Sequence, residues 1–278
     1  PIIRPMHQCL TANNILKIAG ILNGTTNYIL DQMIRKGKTF ETALKDAQNN
    51  GFAERNPAAD IEGHDACRKI CILASLAFGK HVYPNFVHTE GITEITLEDV
   101  KYAEAYNCVI KLIGRVKRLD DGKIDIIVAP MFVPNKSQLA NIDYEFNGIM
   151  VRGDCTGDVV FYGKGAGKLP TASAVVADVV DCCKHLKTRK FLFWADGNGD
   201  NILPYEESVT AMYIRANTTF ELAQEVFGCI DKIEKADSPE GEIAFVTAQL
   251  PYGEIIEKIA ALESRGAKVI SKIRIGDL

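Results

Sequence analysis

The chain has 278 residues, 47% of them apolar, which is enough to bury a full core and to form more than one domain. A formal net charge of -4 gives no general attraction to nucleic acid or to an anionic membrane surface. No apolar run approaches the roughly 18 residues of a membrane span, so the expectation is a cytoplasmic protein with no membrane and no nucleic-acid partner.

The opening Pro1-Ile2-Ile3-Arg4-Pro5 carries neither an initiator methionine nor a secretory signal, as expected for a piece of a longer chain. Eight cysteines without secretory features point to reduced, buried thiols rather than a disulfide scaffold. Residues 15–22 read as a buried strand, followed by the turn Asn23-Gly24-Thr25-Thr26. Helical spacing begins at Tyr28, Ile29, Met33 and Ile34 and ends at Gly37. Strand, glycine turn and helix leave free backbone N–H groups at a helix start, which suits a carboxylate. An ordinary connection with a threonine cap gives the same pattern. Thr39 is placed to cap a further helix over 40–49.

From Gly51 to Ala59 the chain keeps no helical or strand period and reads as a loop. Near Asp60 a period appears: Ile70, Leu73, Ala74 and Ala77 fall three and four apart, and Gly79 closes the run. Glu54, Asp60 and Asp65 are spaced to surround one ammonium ion at the entrance of this helix, with Lys69 one turn beyond Asp65. A lysine among carboxylates, partly shielded from water, serves as a proton donor or acceptor. An Asp–Lys pair on a solvated helix face has the same spacing, so spacing alone leaves both readings open. His64, Cys67 and Cys71 share a face of this helix and are ligand types that zinc takes. A structural zinc site needs a fourth ligand and no paired motif supplies one, so no metal is expected.

A short helix near 96–106 starts at Thr96. Residues 108–119 and 123–131 alternate as strands around the hairpin signal Asp121-Gly122, and a second pair, 144–152 and 156–162, turns at Gly153-Asp154. Asp158 to Tyr162 then runs into Gly163-Lys164-Gly165-Ala166-Gly167-Lys168-Leu169-Pro170, with a helix from Thr171 onward. Strand, glycine loop and helix is the arrangement that binds a dinucleotide pyrophosphate. Here the glycines are spaced Gly-x-Gly-x-Gly, the preceding strands are antiparallel, and no acidic residue ends a strand roughly 20 residues on. Leu169 after Lys168 also excludes a Walker loop. Residues 189–207 read as a linker, since Asp196, Asn198 and Asp200 lack the glutamate of a calcium loop. Beyond it, strand 208–216, helix 218–227, strands 229–236 and 242–249, helix 251–265 and strand 267–275 make a ferredoxin-like β-α-β-β-α-β unit.

Three stretches resemble the homoserine dehydrogenase family. Gly20 to Ile29 is similar to its Gly-Ile-x-Asn-Gly-Thr-Thr-Asn-Tyr-Ile signature. Gly51, Glu54, Pro57, Asp60, Gly63, Asp65 and Lys69 stand at the positions of a second, with Asn56 replacing the usual aspartate. Tyr162 to Asp178 is similar to a third, Tyr-Gly-x-Gly-Ala-Gly-x-x-Pro-Thr-Ala-x-Ala-Val-x-x-Asp. The resemblance implies that Lys69 gives and takes the proton while Asp65 orients it. It places Glu54 and Asp60 on the substrate's amino group, and Gly24, Thr25 and Phe52 against the substrate. Gly51, Gly165, Ala166 and Gly167 are then the approach to the cofactor, NADP or NAD, which a preceding Rossmann domain mainly holds.

The implied fold is α+β. A mixed sheet covered by helices spans 1–188 as the catalytic, substrate-binding and dimerisation domain. A linker over 189–207 leads to an ACT-like ferredoxin-like domain over 208–278. The implied reaction interconverts L-homoserine and L-aspartate 4-semialdehyde in threonine, methionine and isoleucine biosynthesis, in a homodimer or homotetramer. The family pattern adds a sodium ion with ligands outside this chain and threonine as an effector at the tail. Ala216-Asn217-Thr218-Thr219 departs from the Asp-x-Pro-Gly usual in ACT domains. The segment alone is expected to be inactive. Two other readings compete: an amino-acid-responsive regulatory module without catalysis, and a metal-dependent hydrolase built on His64 and Cys67.

Overall fold

The computed structural model describes residues 2–188 and 194–278. Helix α1 (Ile3–Gln8) leads to strand β1 (Ile15–Ile21), helices α2 (Gly24–Lys36) and α3 (Phe40–Asn49), the single turn α4 (Ala58–Ile61) and helix α5 (His64–Phe78). Strand β2 (His88–Thr89) and helix α6 (Leu97–Ala105) precede two hairpins, β3 (Cys108–Arg118) with β4 (Ile124–Pro134) and β5 (Phe146–Gly153) with β6 (Gly157–Lys164). Helix α7 (Lys168–Lys184) follows. The tail contains β7 (Val209–Thr210), β8 (Met212–Asn217), α8 (Phe220–Phe227), β9 (Ile230–Lys232), β10 (Glu242–Thr247), β11 (Leu250–Pro251), α9 (Tyr252–Ser264) and β12 (Lys268–Ile275).

One 10-stranded sheet runs β6-β5-β1-β3-β4-β12-β8-β10-β9, with β2 beside β4. The hairpin pairs are antiparallel, whereas β12 joins β4 in parallel. Within the tail the order β12-β8-β10-β9 is that of a ferredoxin-like unit, as the strand and helix pattern predicted. Central strands are buried on both faces. On β4, Ile126, Val128 and Phe132 face one core, while Ile127, Ala129, Met131 and Val133 face a second. Burial on both faces makes β4 a continuous apolar run where the sequence reading expected alternation. Helices α2, α3, α5 and α6 contribute to the first core, which also takes Tyr213, Ala244 and Val246 from the tail. The other face of the tail packs Ile214 and Phe245 against Ala223, Ile255 and Leu262.

Local signals placed most boundaries. Thr39 and Thr96 cap α3 and α6, the latter in a full capping box with Asp99, and Gly37 and Gly79 end α2 and α5 in the left-handed conformation. Two helices start earlier than expected. Asn23, not a threonine, caps α2, its Oδ1 accepting from the Thr26 N–H at 2.9 Å, so Gly24 is already helical. Gly167, with φ +114°, ends the glycine loop and lets α7 begin at Lys168. Asp60 lies in α4, separated from α5 by Gly63 with φ +83°.

Two tail strands are also shorter than predicted. The strand expected over 208–216 divides at Ala211, whose carbonyl is taken by the Ile275 N–H at 2.9 Å, so β7 pairs with β11 instead. The strand expected over 229–236 ends at Lys232, and Lys235 turns inward to Glu98 at 2.5 Å. Residues 189–193 of the expected linker lie outside the described residues. Its remainder bridges Lys80 through Ala195 and Ile124 through Ile202. Among the described residues no helix is long and apolar enough to cross a membrane.

Candidate active site

Strand β1 delivers Leu22 and Asn23 to the mouth of α5. Close packing makes this possible: a Cβ on Gly114 of β3 would lie 2.8 Å from the Leu22 side chain and 3.3 Å from Ile70 of α5. Glycine at that position lets α5 lie directly over β1 and β3. The Asn23 carboxamide then does two things at once. Its oxygen caps α2, and its Nδ2 donates to Asp60 Oδ1 at 2.7 Å and to Asp65 Oδ2 at 2.8 Å. Asp65 Oδ2 also accepts from Lys69 Nζ at 2.7 Å, and Lys69 Nζ donates to the Leu22 carbonyl at 3.0 Å.

The ammonium is therefore fixed by a carboxylate and a carbonyl, yet its side chain is 47% exposed. A fully solvated pair would leave Lys69 no fixed direction. Here the Leu22 carbonyl supplies one, and Lys69 lines a cavity of about 360 Å³. That cavity is lined by Leu22, Lys69, Asn147, Tyr162, Gly163 and Gly165, among others. The structure thus brings together Lys69, Asp65 and Asp60 and places Gly165 in the same cleft as Lys69.

The other predicted residues fall less evenly. Thr25 donates its hydroxyl to the Phe52 carbonyl at 2.7 Å, and the Phe52 ring lies 4.7 Å from that of Tyr28, so the loop after α3 is held over the start of α2. Gly24 has no room for a side chain, since a Cβ would meet the Glu145 carbonyl oxygen at 2.5 Å. Glu54 is exposed, its backbone carbonyl accepts from Gln48 at 3.2 Å, and among the described residues its carboxylate contacts no partner. Gly51 turns the chain with φ +75° and has open space beside it, away from the cavity lining. Ala166 is exposed between Gly165 and Gly167. His64 pairs with Glu62 at 3.1 Å, while Cys67 and Cys71 are buried.

Four residues that matter here carried no role in the sequence reading: Asn23, Asn27, Lys111 and Asn147. Lys111 is buried in mid-strand and donates to Asn27 Oδ1 at 3.1 Å and to the Ile142 carbonyl at 2.7 Å. Burial pushes this amine down to about 8. Asn27 Nδ2 donates to the carbonyls of Ile142, Tyr144 and Phe146 at 3.0, 2.9 and 3.3 Å. These bonds wrap the 142–146 turn around α2, with Tyr144 at φ +52°, and so fix Asn147 at the cleft. A lone lysine inside the apolar run 109–113 was the available signal for this network.

The glycine loop leaves open backbone beside the cleft. Gly163 pairs beside Asn147 in the β5–β6 ladder, a Cβ on Gly165 would lie 2.6 Å from Asn147 Oδ1, and the N-terminus of α7 has no side-chain cap. Among the described residues no cluster of three or more His, Cys, Asp or Glu side chains is placed to hold a metal ion.

The family model for homoserine dehydrogenase matches residues 1–180. A homoserine dehydrogenase of Neisseria gonorrhoeae is 38% identical over all of this chain, which spans 68% of that protein's length. The chain spans 51% of two further curated relatives that it matches. The crystal structure of a homoserine dehydrogenase from Thiobacillus denitrificans superposes with a TM-score of 0.87 at 36% identity, covering all of this chain and 68% of its own. A hyperthermophilic archaeal homoserine dehydrogenase mutant, solved in complex with NADPH, matches 68% of this chain and 53% of its own, with a TM-score of 0.55 and 27% identity.

Proposed function

This chain belongs to the homoserine dehydrogenase family of NAD(P)-dependent oxidoreductases, and from that premise we propose that it forms the substrate-binding and proton-transferring part of such an enzyme. The reaction would interconvert L-homoserine and L-aspartate 4-semialdehyde. The dinucleotide would be held mainly by a domain outside this segment, with Gly165, Ala166 and Gly167 against its nicotinamide end. The observation that carries this reading is the position of Lys69 Nζ. It is braced by Asp65 and the Leu22 carbonyl, and Lys69 lines the cavity that the glycine loop also lines.

In the reductive direction, a proton passes from Lys69 Nζ to the carbonyl oxygen of the semialdehyde as the carbonyl carbon gains hydride. The bound nicotinamide dinucleotide supplies that hydride. In the oxidative direction a neutral Lys69 takes the hydroxyl proton. Asp65 keeps the amine directed at the substrate oxygen, and the proton transfer by Lys69 is a general acid–base role worth about 10²–10⁴-fold in rate. Asp60 and Glu54 attract the substrate's ammonium, while the start of α2 at Gly24 and Thr25 suits its carboxylate. Glu54 has no partner among the described residues, so its carboxylate is free to turn toward a bound cation.

We further propose the division into residues 1–188 and an ACT-like unit over 208–278, and assembly as a homodimer or homotetramer. Lys69→Ala in the full-length protein tests the central claim. Turnover should fall by about 10²-fold or more with the fold intact by circular dichroism. Activity near that of the unmutated enzyme would remove Lys69 from the chemistry.

A further inference from the structure

Asn147 is a polar side chain lining the cleft to which the proposed reaction assigns no role. It lies at the start of β5, paired with Gly163 across the ladder, and lines the cavity together with Lys69 and Gly165. Two glycines are shaped around it. A Cβ on Gly165 would approach its Oδ1 to 2.6 Å, and a Cβ on Gly24 would approach the same atom to 3.4 Å. Its carboxamide is therefore lodged between the start of α2 and the glycine loop, where substrate and cofactor must meet. The turn before it is fastened by Lys111 and Asn27, so the backbone that aims it is fixed. Among the described residues, the Asn147 carboxamide makes no hydrogen bond.

A primary amide offers two donors and an acceptor in one plane. The groups of a small amino acid do not need that combination. Its ammonium calls for acceptors, which Asp60 and Glu54 supply, and its carboxylate calls for donors, which the start of α2 supplies. The reacting oxygen faces Lys69. The one group brought to this cleft that presents both an N–H and a carbonyl in a plane is the carboxamide of a nicotinamide ring. Resting on the function proposed above, we infer that Asn147 recognises this carboxamide by a paired amide–amide hydrogen bond and so sets the orientation of the ring over the substrate.

The test compares equilibrium binding of NADPH with that of its 3-acetylpyridine analogue, whose methyl ketone lacks the N–H. Dissociation constants are measured by fluorescence titration on the full-length protein and on its Asn147→Ala and Asn147→Asp variants. Asn147→Ala should weaken NADPH by about tenfold and the analogue much less, collapsing the preference between them. Asn147→Asp keeps the shape and the acceptor but loses the donors, and it should fall between the two. Equal weakening of both dinucleotides, or no change in either, would overturn the inference. Turnover of homoserine by the unmutated protein separates the two failures. If it oxidises homoserine but its variants keep the NADPH preference, only Asn147 is misassigned. If it neither binds a dinucleotide nor oxidises homoserine, the proposed function fails and Asn147 loses its role with it.

Discussion

Lys111 offers a quantitative check on the scaffold behind the cleft. Burial disfavours its charge, the Asp143 and Asp31 carboxylates offset part of that, and Arg35 opposes them, leaving the amine at about 8 against 10.5 when exposed. Holding it there costs the folded state about 3 kcal/mol while it remains protonated, at roughly 1.4 kcal/mol per pH unit. The sign follows from proton counts. Below about pH 8 the lysine is charged in both states and the cost is present in full. Between about 8 and 10.5 the unfolded chain binds more protons, so stability rises with pH. Lys111→Met removes this dependence, although it also leaves Asn27 Oδ1 without its donor, a loss of about 1–3 kcal/mol, while the Ile142 carbonyl keeps Asn27 Nδ2. The informative quantity is therefore the difference between the two proteins as a function of pH. Urea unfolding at half-unit steps from pH 7 to 10.5 should show the unmutated protein gaining about 3 kcal/mol on the variant. A difference that stays flat across that range would mean that Lys111 is not held as a desolvated amine.

Three further substitutions probe the site from different sides. Asn23→Ala should cost about 1 kcal/mol by removing the α2 cap, and it should raise the homoserine KM on the order of tenfold by releasing Asp60 and Asp65. Asn23→Ser should restore the melting temperature but not the KM, which isolates the bridging role. Gly24→Ala drives a methyl into the Glu145 carbonyl and should lower stability by about 1–3 kcal/mol in thermal unfolding. Arg115→Met strips a buried guanidinium from Asp125 at 2.6 Å and Asp277 at 2.7 Å, and should cost about 3–5 kcal/mol. Burial alone would raise the Asp277 carboxyl, but Arg115 and Lys17 hold it below 3.8, so its stabilisation is present at neutral pH and lost as acid protonates it. Acid titrations of both proteins should show the stability gap between them narrowing as pH falls, because without Arg115 the Asp277 carboxylate has less stabilisation to lose.

What could be read from the sequence was set by how far each interaction reaches. Thr39, Thr96, the Asp121-Gly122 hairpin and the closing glycines of α2 and α5 act within a few residues, and each stands where its local chemistry put it. The ferredoxin-like pattern of the tail was legible because its periods alternate cleanly. Its strand ends were not, because they depend on distant partners. Ala211 gives its carbonyl to β12, and Lys235 leaves the strand to reach Glu98. Within the site, the contact between Asp65 and Lys69 follows from their one-turn spacing. The contacts of Asn23 with Asp60 and Asp65 span 37 and 42 residues, and no local rule forecasts them.

The position of Asn23 also accounts for why the cleft forms with so few polar contacts. A serine, threonine or aspartate satisfies the first turn of α2 equally well as a cap. Only asparagine accepts from that turn with one atom and donates to two carboxylates with the other. An aspartate there would add a third negative charge beside Asp60 and Asp65, and a serine would have a single hydroxyl proton to share between them. The cap that starts α2 and the donor that orders the carboxylates are thus the same planar group. Any shift of α2 relative to β1 must move Asp60, Asp65 and, through Asp65, the ammonium of Lys69. Stability of that helix start and alignment of the proton-transferring amine are therefore one mechanical property of this fold.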